Sequence, residues 1–161
     1  MKSLILNLAF LLGLVTAALA QDLGHFSLTT NAVTEVKQKM GAYEKGNLSL
    51  MELTENSAWN DKLLAYYQEH TNEVPERWKM PISRCFAGLG KYPEAARLAA
   101  DYVQVYSNDW HGWKILGGAY VFMGRYKEAL AALTNSMRLG DEGSYAPVAM
   151  VALHLDRLDI V

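Results

Sequence analysis

The side chains best suited to metal binding or covalent chemistry in this sequence are four histidines, His25, His70, His111 and His154, and a single cysteine, Cys85. None of the histidines belongs to an H-x-E, an H-E-x-x-H or a His/Cys pair, the spacings at which two donors share a zinc ion. No metal site and no cofactor is therefore expected. Cys85 has no partner for an internal disulfide. It is either a thiol that reacts or pairs between molecules, or a small buried apolar side chain, as free cysteine commonly is. A G-x-S-x-G elbow and a glycine-rich phosphate loop are both absent. The run Asn108-Asp109-Trp110-His111 gathers polar groups at a helix start, where Asn and Asp also serve as caps. An enzyme built on this chain would depend on Cys85 or His111; the expectation is a protein that is not an enzyme.

The elements that would position these residues are read from composition and pattern. The 161 residues hold 15 Lys and Arg against 17 Asp and Glu, a net charge of −2. Neither nucleic acid nor an anionic membrane is thus favoured as a bulk electrostatic partner. Residues 1–20, MKSLILNLAFLLGLVTAALA, join one basic residue, Lys2, to an apolar stretch and to small residues at Ala18 and Ala20. That is the form of a secretory signal cut after Ala20, with no membrane span left once it is removed; the rival reading is an uncleaved membrane anchor, although Asn7, Gly13 and Thr16 interrupt the apolar run. The expected location is periplasmic or secreted.

Residues 90–96, GKYPEAA, and 124–130, GRYKEAL, repeat one pattern of Gly, basic, Tyr, any, Glu, Ala, apolar, 34 positions apart from Gly90 to Gly124. The same period brings Phe86 onto Tyr120, Ile82 onto Leu116 and Ala95 onto Ala129. A fixed period of this size signals stacked supersecondary units. In the second unit Trp113, Leu116, Gly117 and Tyr120 form one helical stripe, and Tyr126, Ala129, Leu130 and Leu133 form the next. Gly124 ends the first helix and Gly140 the second, as residues free to take positive φ. Asn108 or Asp109 caps the first. Pro93 stands where a helix begins, whereas Pro81 is expected to shorten or kink its own helix. Gly117 and Ala129 are expected to touch between Trp113 and Tyr120, both buried.

Trp113, Leu116, Gly117, Tyr120, Gly124, Tyr126 and Ala129, followed by Leu133 and Asp141, resemble the tetratricopeptide repeat family. Units at 76–109 and 110–143 and a partial unit at 142–161 carry the resemblance; in the partial unit Tyr145, Val148, Ala149 and Ala152 take the first-helix positions. Residues 21–75 read as an N-terminal helical cap or degenerate repeat, with one helix through Val33, Val36, Met40 and Tyr43 ended by Gly46, and another near 57–71. The fold class is all-α: an α-solenoid of antiparallel helix pairs, about six or seven helices.

The resemblance implies a trough walled by first helices, in which a peptide or partner helix lies. Carried over position by position, the wall is Arg77, Arg84, His111, Lys114, Gly118, Val121 and Phe122. Its basic residues imply an acidic protein or peptide partner with an apolar anchor. By the same resemblance Cys85 holds a small-residue position facing a neighbouring helix. The implied function is an exported protein-interaction module; a self-associating structural protein is the alternative, since apolar residues spread around the last helix predict an exposed patch there.

Overall fold

A computed structural model describes residues 28–158; the expected signal at residues 1–20 lies outside them. Among the described residues there are eight α-helices: α1 (Thr30–Glu44), α2 (Leu50–Thr54), α3 (Ser57–Glu69), α4 (Lys79–Gly88), α5 (Tyr92–Val105), α6 (Trp110–Phe122), α7 (Tyr126–Arg138) and α8 (Tyr145–Leu158). Short 3-10 turns, Glu76–Trp78 and Glu142–Ser144, lead into α4 and α8. The count exceeds six or seven through α2, a five-residue helix. It forms because Ser49 and Glu52 make a capping box that satisfies backbone donors at both positions.

The repeated heptapeptide closes the helix pairs. Gly90 and Gly124 have φ of 73° and 72°, the left-handed region that glycine enters without a Cβ penalty. The next amide then reaches back, Lys91 N–H to the Phe86 carbonyl (3.0 Å) and Arg125 N–H to the Tyr120 carbonyl (2.9 Å). These bonds satisfy carbonyls that the helix end would leave orphaned. Pro81 falls in the first turn of α4, where its missing N–H has no helical acceptor. The helix runs for ten residues against thirteen in α6.

One core extends from α1 to Ala132 of α7 around Met40, Leu63, Ile82, Leu98 and Tyr102. A smaller one joins α7 to α8 through Ala129, Leu133 and Val151. Gly112 lets α6 approach α5 so closely that a Cβ there would lie 2.7 Å from Tyr102 Cδ1. At Gly117 the packing differs from expectation. The side chain in the gap is Leu133, not Ala129, and a Cβ on Gly117 would lie 2.6 Å from Leu133 Cγ. Gly117 lies seven residues before Gly124, with Ala129 five and Leu133 nine after it, so each is two positions out of step across the turn, and the longer Leu133 side chain is the one that extends over the bare backbone of Gly117. Trp113 and Tyr120 are half-buried rather than buried. Trp113 keeps its indole edge at the surface, donating to the Ser107 carbonyl at 2.8 Å.

Two neighbouring glycines test this packing. Gly117→Ala should gain about 1 kcal/mol of helix propensity and lose about 1–3 kcal/mol to overpacking against Leu133, so thermal melting should show it below the parent. Gly118→Ala, whose Cβ meets nothing within 4 Å, should raise stability by up to about 1 kcal/mol. Equal shifts for the two would contradict the close contact.

Candidate functional site

An open cleft of about 540 Å³ is bounded by α3, α4 and α6. From α4 come Arg84 and Leu89 just beyond its end, from α6 Lys114, Ile115, Gly118 and Phe122, and from α3 Asn60 and Asp61. Gly118 has open space where a side chain would stand, which leaves the α6 wall recessed between Lys114 and Phe122. Phe122 is 69 % exposed, and its ring lies parallel on Tyr92 with centroids 4.5 Å apart. An exposed aromatic held flat in this way loses little rotamer freedom on contact with a partner.

The expected wall residues fall into three groups. Arg84, Lys114, Gly118 and Phe122 line the main cleft. Arg84, His111 and Lys114 also border a recess of about 210 Å³ beside the exposed Met51. Arg77 and His111 line a separate hollow on the α5 side, where the Arg77 guanidinium lies 5.6 Å from the centre of the Tyr106 ring. Val121 is in none of these. It packs on Ala129, Leu133 and Val151, because one step along a helix turns a side chain by about 100° away from the face that carries Phe122.

Charge in the cleft differs from an all-basic wall. Asp61 contributes a carboxylate, and Lys114 Nζ is engaged by Asp141 Oδ1 at 3.0 Å. Arg84 donates through Nε to Thr54 Oγ1 at 2.8 Å and makes no ion pair with another described residue. Asp141 is buried. Besides Lys114 it takes hydrogen bonds from Gly143 N–H (3.1 Å) and the Ser144 hydroxyl, with Ser136 Oγ at 3.0 Å. Burial pushes its carboxyl up, and the bonds from Ser144, Lys114 and Ser136 outweigh this, holding it below the ordinary carboxylate range.

His111 lies with Nδ1 2.8 Å from Asp109 Oδ1, and Asp109 Oδ2 accepts from the Tyr102 hydroxyl at 2.7 Å. Asp109 also accepts from the His111 backbone N–H at 3.0 Å, capping α6. Burial raises the Asp109 carboxyl, and the bonds from His111 and Tyr102 bring it below its usual value. Cys85 is elsewhere, buried in the cleft wall with Sγ 3.4 Å from Asn60 Oδ1. Burial above all pushes its thiol up to about 12, which leaves almost no thiolate to act as a nucleophile at neutral pH. No group of three metal-ligating side chains occurs among the described residues.

Tyr92 lines the site but is not among the expected wall residues, although both heptapeptides share this Tyr. Its partner at the second occurrence is His154, whose ring centroid lies 4.1 Å from that of Tyr126. Asn60 and Asp61 were missed because nothing in the pattern of α3 joins them to α4 and α6.

The helix pairs, their glycine turns and the cleft can be set beside known proteins. The chain is similar in structure to the C-terminal TPR-containing domain of the Plasmodium falciparum protein PFL2275c, with a TM-score of 0.54 at 15% identity over 86% of this chain and 100% of that one. The fold is that of tetratricopeptide repeats. PcrH from Pseudomonas aeruginosa is also similar, with a TM-score of 0.46 at 12% identity over 83% of this chain and 96% of that one. No protein-family model and no curated protein matches the chain.

Within the repeats, Asp141 gives a pH-dependent contribution with a definite sign. Its folded pKa is depressed below the ordinary 3.8, so its stabilisation is present above that value and is lost as pH falls through the folded pKa. Asp141→Asn should be about 1–3 kcal/mol less stable than the parent at neutral pH, with the difference closing below about pH 4 in pH-dependent melts. A difference that persists in acid would place its origin in packing. Native Cys85, by contrast, should resist alkylation until denaturant is added; rapid labelling of the folded chain would contradict its burial.

Proposed function

We propose that the chain is an exported, non-catalytic interaction module that holds a segment of a partner polypeptide in the cleft between α3, α4 and α6. The observation that carries this reading is Phe122, 69 % exposed and stacked on Tyr92, in a concave surface that Arg84 also lines. An apolar side chain of the partner would seat on the Phe122–Tyr92 pair, and an acidic group would reach Arg84. Apolar anchors in pockets supply most binding energy, and rim charges act mainly on encounter. Lys114 contributes less attraction than its charge suggests, because Asp141 already engages it.

Support for export is the signal-like sequence of residues 1–20. Support for a non-catalytic role is the separation of the two reactive candidates: Cys85 is buried in the cleft wall, and His111 is engaged by the aspartate that caps its own helix. The reading needs no cofactor.

Selection of binders from a random peptide display library on the purified chain tests it. The selected peptides should combine acidic residues with a large apolar one. Phe122→Ala should weaken them by about tenfold or more, mainly through faster dissociation. Arg84→Glu should slow association and flatten its salt dependence. Peptides whose affinity ignores both substitutions would move the binding site to another surface.

A further inference from the structure

The last described helix repeats the surroundings of α6. Asp141 caps the turn into α8 as Asp109 caps α6. Ser144 is buried where Gly112 is, and Val151 where Ala119 is. Tyr126 meets His154 as Tyr92 meets Phe122. In this register Tyr145, Ala149, Ala152 and Leu153 take the places of Trp113, Gly117, Tyr120 and Val121. On α6 that face is covered by α7, whose Leu133 fills the space over Gly117. On α8 it is uncovered among the described residues: Tyr145 is 60 % and Leu153 65 % exposed, and Ala149 is exposed between them.

We propose that this face of α8 docks an amphipathic helix of another polypeptide, laid antiparallel as α7 lies on α6, with a branched aliphatic side chain on Ala149 between Tyr145 and Leu153. Residues one turn apart form a ridge, and a ridge of a second helix fits beside it. An extended segment would instead press unpaired backbone amides against an apolar surface. The exposed carboxylates Glu142 and Asp156 stand at the two ends of the same line. The helix that fits therefore carries basic residues about two turns on either side of its aliphatic centre. A second copy of α8 is the poorer match, because antiparallel pairing about Ala149 sets Asp156 of each copy against Glu142 of the other, two like charges at each end. This surface is separate from the cleft, on the far end of the stack.

The test uses the full chain and a synthetic alanine-based helical peptide with leucines one turn apart on one face and lysines at both ends. A twin peptide has glutamates in place of the lysines. The lysine peptide should bind at least about tenfold more tightly than its twin at low salt. Ala149→Arg and, separately, Leu153→Glu should abolish its binding, and Arg84→Glu in the cleft should leave it unchanged. Both α8 substitutions are at exposed positions, and an unchanged circular dichroism spectrum shows that the fold is retained. Equal binding of the twins, or binding indifferent to both α8 substitutions, overturns the proposal. Concentration-dependent self-association of the peptide-free chain, removed by Ala149→Arg, also overturns it and assigns the face to a second copy.

Discussion

Helices in this chain come together at points where a Cβ atom would not fit. Gly112 lies against Tyr102 and Val103 of the preceding unit, and Gly117 against Leu133 of its own. The two glycines stand on opposite faces of α6, which is therefore gripped on one side by α5 and on the other by α7. Each contact places a large apolar side chain against bare backbone, so burial is gained without a cavity on either side. The propensity that glycine gives up inside a helix, about 1 kcal/mol at each site, is the smaller quantity.

From that grip the surface follows. With α6 fixed against α5, its outward residues Lys114, Gly118 and Phe122 must face α4, and Arg84 lies opposite them. The glycine turns then bring Tyr92 and Tyr126 back beside the following first helix, where they meet Phe122 and His154. One sequence device, Gly-basic-Tyr, thus both closes a helix pair and sets an aromatic ring at the edge of the concave face. Asp141 adds a polar lock at the next boundary, drawing Lys114 of α6, Ser136 of α7 and Ser144 before α8 to one carboxylate. Because that carboxylate is buried, its hydrogen bonds are strong and its removal would strand them; the cost falls on the charge that the cleft can offer a partner.

Much of the fold was legible in local pattern. Periodicity in α1, α3, α6 and α7 located the helices, and the glycines at 46, 90, 124 and 140 all take positive φ. Such features depend on residues a few positions apart, and the backbone at those positions has few alternatives. Helix α2 escaped notice because five residues hold too little periodicity to register, although its Ser49 and Glu52 cap was present in the sequence. The site was less legible. Arg84, Lys114, Gly118 and Phe122 share a cleft, while Val121 turned inward and Arg77 fell on a different hollow.

By itself, then, the sequence determined the longer helices, their stops, the unit length and the pairing of neighbours, since these follow from short-range dihedral preferences and apolar spacing. Only the tertiary structure decided which side chains lose their freedom to act. Lys114 is bound to Asp141, Val121 packs into the core between α7 and α8, and Leu133, not Ala129, fills the space at Gly117. Those outcomes depend on the rotation of one helix against another. A single step of about 100° moves a side chain between groove and core, and no one-dimensional spacing specifies that angle.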